Sequence, residues 1–394
     1  MKTRRWKVAT ILCVLVQLGV VGKSEALHVD EDRSLEFTAK LQSRVSLRLK
    51  DSQGFTEPKL SVGDLVQWRN IAYMEVQHDL KYLMGQIDFM KPLQRWGVEV
   101  KYRIVGRFMY EAAYNVGPRE LRDVRDNDKE NIDNFKQAYD LWECYGDIAK
   151  GPVFFRIGRQ NVSWGETDVF RLLDVINPLD NTYGGIFEDL DDRRIPLWML
   201  RGSYNFGYLG PIASLTLEGF WVPGNWDARV SPLAPAGTPY AVPLAPAPVP
   251  MTVETPAKVM SNSRWGARLQ GVLFDSVNLS VGHYKSYMDM PSSTLNVKDT
   301  GGLLPEFSLG LYYDDIQVTG AAANWWQSQV DVVFRTEVAM FWKESVFIPE
   351  ENAPMVPTGL PIPGLEALPA QGHKTERDIV RWMIGFDKNF WVRK

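Results

Sequence analysis

LEFTAKLQSRVSLRLK, residues 35–50, alternates without a break. Leu35, Phe37, Ala39, Leu41, Ser43, Val45, Leu47 and Leu49 share one parity; Glu36, Thr38, Lys40, Gln42, Arg44, Ser46, Arg48 and Lys50 share the other. Successive side chains leave a pleated backbone on opposite faces, so a period of two held this long is a strand and not a helix. It is longer than the five or six residues usual in globular sheets, and long enough for a tilted strand to cross a bilayer and project beyond it.

The same pattern returns at residues 98–114, where Val98, Val100, Tyr102, Ile104, Phe108 and Tyr110 oppose Glu99, Lys101, Arg103, Arg107 and Glu111. Residues 66–82 alternate less cleanly through Trp68, Ala72, Met74 and Val76. Further strands are expected at 135–145, 152–160, 196–206, 212–222, 263–274, 277–287, 312–326, 330–342 and 378–391, twelve in all. Phe307, Leu309, Leu311 and Tyr313 are read as the approach to the 312–326 strand rather than as a strand of the same sheet.

Alternation alone fits both a soluble β-sandwich and a transmembrane β-barrel, because each buries one face and wets or charges the other. The connections discriminate. Short turns are expected at 146–151, 207–211, 275–276 and 327–329, with a medium connection at 83–97; long loops are expected at 51–64, 117–131, 161–195, 223–262 and 343–376. Short turns on one side and long loops on the other are the habit of outer-membrane barrels. Trp68, Trp142, Trp198, Trp221, Trp265, Trp325, Trp326, Trp342, Trp382 and Trp391 fall in or at the ends of these strands, where an interfacial girdle would place them. The fold class expected is all-β, an antiparallel transmembrane β-barrel with short periplasmic turns and long outer loops.

The amino terminus points the chain out of the cytoplasm. MKTRRWK is basic and acid-free, residues 8–21 are largely apolar, and Ser24-Glu25-Ala26 offers small residues for cleavage after Ala26. This is a Sec-type signal peptide, residues 1–26, ahead of a barrel domain, residues 27–394. As an anchor helix the apolar run would rise only about 21 Å, too little for a hydrocarbon core. Removing the signal takes Cys13 with it and leaves Cys144 alone, so neither a disulfide framework nor a cysteine metal site is available. A net charge of -4, with 23% charged and 12% aromatic residues, gives no reason to expect nucleic acid as a partner.

Two groups of residues carry the functional expectations. The face expected to line the lumen presents Lys40, Arg44, Arg48, Lys101, Arg103, Arg107, Arg156, Arg201, Arg264, Arg268, Arg335 and Arg381, with fewer acids, chiefly Glu36, Glu99, Glu111, Asp331 and Glu337. Such rings favour anions in an open pore, or pair with the acids and stiffen the wall. Arg159 breaks the alternation and marks a strand end or a bulge.

The 161–195 loop is the second group, with Trp164, Glu166, Asp168, Phe170, Asp174 and Asp180. It either folds inward as a constriction or packs over the barrel mouth, with Arg193 and Arg194 neutralising Asp191 and Asp192. Acids at 188–192 lack the glycine and ligand spacing of a calcium loop, and the four histidines, His28, His78, His283 and His373, are scattered. No catalytic residue, cofactor or metal is expected. The proline-rich segment at 231–250 is expected to be an extended external loop.

GRQNVSWGE at 158–166, RLLDVINPLD at 171–180 and DDRRIPLWMLRGSYNFG at 191–207 together resemble a large family of proteobacterial outer-membrane β-barrels, the domain of unknown function thirteen-zero-two. The resemblance implies an outer-membrane location, with lipid and the barrel-assembly machinery as partners. It also implies proximity to resistance-nodulation-type transporters and movement of hydrophobic or aromatic compounds, and it assigns no catalytic residue. Similar proteins continue past the FDKNFWVRK that closes this sequence, so a C-terminally truncated part of a larger barrel is expected. The functional expectation is a porin-like channel or transport protein; a plugged, non-conducting binding or structural barrel and a soluble secreted or periplasmic β protein are the alternatives.

Overall fold

The computed structural model describes residues 17–23, 27–51, 58–166, 171–183, 188–227, 229–235, 237–241, 251–298, 306–348, 355–357, 367–369 and 373–388. Twelve strands follow one another in chain order, each antiparallel to the next: β1 Leu35–Leu47, β2 Leu65–Asp79, β3 Glu99–Glu111, β4 Gln137–Lys150, β5 Val153–Gln160, β6 Leu197–Leu209, β7 Ile212–Val222, β8 Arg264–Leu273, β9 Val277–Tyr287, β10 Asp315–Gln327, β11 Val332–Ile348 and β12 His373–Asp387. Gln17–Lys23, within the expected signal, pairs antiparallel along the other edge of β1, from Gln17 opposite Ser46 to Lys23 opposite Lys40. The fold is all-β, and no helix among the described residues is long and apolar enough to cross a membrane.

The two parities separate as the pleat requires. Leu41 on β1 is 65% exposed and Ile384 on β12 is 67% exposed, while Gln42, Arg69 and Glu337, one parity over, are buried. A flat sheet would put β11 about 48 Å from β1, ten strand-to-strand steps of about 4.8 Å. Side chains bridge that interval instead. Arg44 on β1 meets Asp192 at 2.8 Å, Arg194 meets Asp174 at 2.7 Å, and Arg335 on β11 donates to the Glu166 carbonyl at 3.2 Å. A Cβ on Gly165 would lie 3.1 Å from Asp174 Cβ and 3.3 Å from Glu337 Oε1. The sheet must therefore curl around the 161–195 segment, with its charged parity inside.

Several expected boundaries shift, for local reasons. The β4–β5 hairpin closes at Gly151, whose φ of +54° suits the tight turn, so Gly146 stays in β4 and the expected six-residue turn contracts. β6 likewise runs on to Leu209, and Gly210 turns the chain. The 83–97 connection is not a turn; helices Lys81–Gln86 and Lys91–Arg95 lie at its start and within it.

At the long-loop end, Ala113–Val116, Arg119–Asn127 and Lys129–Lys136 are helices, with Leu121 and Ile132 buried against Leu60, Val66 and Tyr114. Glu306–Tyr312 is a strand of its own, in a small sheet with Met251–Glu254 and Ser292–Lys298. β11 continues to Ile348 past the expected end at Trp342, because a bulge at Lys343 keeps Glu344 facing Arg381 at 2.7 Å. Half of the proline-rich run, residues 236 and 242–250, falls outside the described residues.

β5 is the short member of the wall. Gly158, at φ +134°, lies so close to the Cys144 carbonyl oxygen that a Cβ there would collide with it. Only glycine relieves both the dihedral and the contact. Gly158→Val should lower stability by on the order of 1–3 kcal/mol, read by chemical denaturation followed through tryptophan fluorescence; an unchanged midpoint would show that the Gly158 conformation carries no constraint.

A plug held between two unlike faces

The motif-bearing segment that leaves β5 at Gln160 turns into the curl of the wall and does not pack over its mouth. Asn177 makes the return possible: its side chain accepts from the Val162 amide at 2.9 Å and donates to the carbonyls of Ile195 and Gln160. The first and last turns of the segment are thus stapled together where it enters and leaves.

One side of this plug is apolar. Val162, Trp164, Leu172, Leu173, Val175 and Ile176 form a single buried cluster with inward residues from β6, β7, β9, β10 and β11, among them Leu197, Phe220, Tyr284, Val318 and Phe341. The Trp164 indole sits edge-on to Phe220 and Tyr284 at 5.3 and 5.8 Å, and its Nε1 donates to Glu218 Oε1 at 2.7 Å. Its seat is made by an absence. A Cβ on Gly266 would lie 2.5 Å from Tyr284 Cβ, 2.7 Å from Phe220 and 3.0 Å from Trp164, and a Cβ on Gly320 would collide with Leu173.

The other side is charged. Asp192 takes Arg44 at 2.8 Å and Lys40 at 4.0 Å, and accepts from Tyr73 at 3.3 Å. Glu188 takes Arg69 at 2.5 Å and Arg44 at 3.6 Å. Asp174, inside the segment, is paired to Arg194 and Arg171. Burial pushes the Asp174 and Glu188 carboxyls up, and the adjacent guanidiniums oppose it. Arg193 does not neutralise its acidic neighbours; it binds Asn181 and the Asp180 carbonyl, while Arg194 takes Asp191.

Of the six loop residues singled out from sequence, Trp164 is the apolar anchor, Asp174 an internal ion-pair centre, and Glu166 supplies backbone contacts to Glu337 and Arg335. Asp180 receives the Thr182 amide and hydroxyl, stabilising a turn. Asp168 and Phe170 lie outside the described residues.

The inward basic residues are mostly matched within the wall itself. Lys101 pairs with Asp79, Arg103 with Glu75 and Glu143, Arg107 with Asp140, and Arg156 with Asp147. Arg201 and Arg268 share Glu218, while Arg335 pairs with Asp387 and Arg381 with Glu344. Arg264 is held instead by Asn225 and the Arg229 carbonyl, and Arg48 lies past the end of β1.

Trp142, expected in an outer girdle, is 5% exposed and faces inward beneath the Arg107 guanidinium at 3.5 Å, because a bulge between Val105 and Gly106 shifts its parity. Glu75, Asp79, Asp140, Glu143, Asp147, Glu218, Glu344 and Asp387 were acids missed; each pairs with a cation one strand away, a signal that needs the register to be visible. Two open volumes flank the plug. One of ≈ 390 Å³ is lined by Lys40, Tyr73, Arg103, Trp142 and Asp192, and one of ≈ 320 Å³ by Thr216, Arg268, Gln270, Ser280 and Asn324.

Comparison with known proteins matches residues 7–391 to the family described as Protein of unknown function (DUF1302). No curated protein matches the chain. Trp164→Ala should cost about 3–5 kcal/mol, and Gly266→Val should expel the indole without removing it. Both should expose residues 161–195 to limited proteolysis; protection equal to that of the unaltered protein would show that the plug is held without its aromatic anchor.

Proposed function

The chain belongs to this family, whose description assigns no activity, and from its own geometry we propose that it is an outer-membrane β-barrel protein serving as a gated passage, closed at rest by residues 161–195. The observation that carries this is the bridge across the lumen, in which one segment binds β1 and β2 by charge and β6 to β11 by apolar contact. A passage filled in this way does not conduct until the segment moves.

The outward face supports the membrane reading. Exposed Leu41, Met74, Ile157, Val281, Val380 and Ile384 form a belt, with Trp68, Trp221, Trp265 and Trp342 toward its long-loop end and Tyr208, Phe274 and Trp326 toward its short-turn end. Lipid and the barrel-assembly machinery are then its partners, and a Sec signal ending at Ala26 is its route.

The charged side is the side that opens. Gln42 Oε1, Gln67 Nε2 and Arg69 Nε are buried there without a hydrogen-bond partner, and each such group costs about 1–3 kcal/mol. The apolar side carries the larger packing stabilisation and acts as the pivot.

Single-channel recording in planar bilayers tests the reading. The unaltered protein should be closed for most of the record, and Arg44→Ala combined with Asp192→Ala should give discrete steps. Frequent steps from the unaltered protein, insensitive to these changes, would establish an open pore. Silence from a folded, heat-modifiable double variant would establish a fixed plug and a binding or structural role.

A further inference from the structure

Between β4 and β5 the wall has a long interval without a neighbouring strand among the described residues. β4 pairs with β3 as far as Gln137, but with β5 only from Cys144 onward, so Gln137 to Glu143 have no strand on that side among the described residues. Seven residues at about 3.3 Å each leave roughly 23 Å of edge. On the membrane reading, that edge lies in the apolar belt. Tyr139 and Leu141 point outward, 72% and 44% exposed, and Tyr139 meets Phe108 of β3 at 4.7 Å. On the inner side of the same stretch, Trp142 and Glu143 line the ≈ 390 Å³ cavity beside Asn161 and Val105.

Backbone polar groups facing hydrocarbon without a partner are costly, so something must close this edge. Arg159 does. Its side chain is 3% exposed and donates to the Leu141 carbonyl on β4 and, at 3.2 Å, to the Pro196 carbonyl at the start of β6. The early end of β5 at Gln160 puts it there. No carboxylate pairs with Arg159 among the described residues, and its Nη2 has no hydrogen-bond partner. A guanidinium reaching two carbonyls on opposite sides of a gap is a fastening that one rotamer change releases, unlike a ladder of backbone hydrogen bonds.

We propose that the gap between β4 and β6, beyond the end of β5, is a side door in the wall, latched by Arg159, through which an apolar solute passes between the Trp142 cavity and the membrane. The solute class follows from the lip: a molecule leaving past Tyr139 and Leu141 enters hydrocarbon, which an ion or a sugar does not. The door rests on the membrane reading above but not on the gating of the plug.

The test uses cells making the full chain, with entry of the neutral aromatic fluorophore 1-N-phenylnaphthylamine as readout, alongside ionic conductance of the purified protein. Loss of one charge-assisted hydrogen bond should raise the open fraction, so Arg159→Ala should speed entry about tenfold with conductance unchanged. Leu141→Cys with Pro196→Cys, in a Cys144→Ser background and joined by a short bismaleimide, should reduce entry to that of cells lacking the protein.

Entry unaffected by the cross-link, or Arg159→Ala raising conductance and entry together, would overturn the door. If Arg159→Ala does not fold, the cross-linked pair in the otherwise unaltered chain decides. Rapid labelling of Tyr139→Cys by a water-soluble maleimide would instead overturn the membrane reading, and the door with it.

Discussion

The Trp164 indole is the point on which the curvature of the wall depends. It touches side chains from β7 and β9, fills the space left by Gly266 on β8, and shares Glu218 with Arg201 on β6 and Arg268 on β8. Four consecutive strands are thereby oriented around one ring. A flatter sheet would draw these partners apart and strand Glu218 and its two guanidiniums in a desolvated place, which is costly for any buried charge. Close contact at Gly266 and Gly320 sets the opposite limit, since any larger residue would push the segment off the wall.

The lumen divides into two kinds of surface. Over most of the wall the inward cations meet acids on neighbouring strands, as Arg103 does with Glu75 and Glu143 or Arg156 with Asp147, and the surface is neutral whether or not the plug is present. Arg44 and Arg69 are different, because the carboxylates that meet them come from Asp192 and Glu188 of the plug. On the gated reading proposed above, withdrawing the plug would take both carboxylates from Arg44 and leave Arg69 only Glu111 of the wall, so the open form would attract anions more than the closed form does.

The alternation of Leu35 through Lys50 was enough to predict a strand and its two parities, though it ends at Leu47, three residues before the expected bound, and β7 and β9 match their expected bounds residue for residue. These features are local, and the chain states them directly. What depended on register or on space was hidden. Trp142 looks like any outward aromatic until the bulge after Val105 is known, and Gly266 looks like any strand glycine until the indole opposite it is placed. The acids of 161–195 were visible as a cluster, but whether they neutralised one another or reached Arg44 turned on the direction the chain took after Gln160. Arg159 alone announced its oddity in sequence, by falling on the wrong face. The cause, the left-handed backbone at Gly158, and the consequence, two carbonyls bridged across a gap, required the fold.

The strand Gln17–Lys23 lies along the edge of β1 that Leu27 and His28 cover only at Phe37 and Glu36. Seven residues of β1, Lys40 to Ser46, are engaged by it, and those backbone groups cannot serve a second strand at the same time. While it is in place, neither the last strand of the same chain nor a strand of another molecule can dock on that stretch, so the pairing itself shields part of the first strand's edge from association.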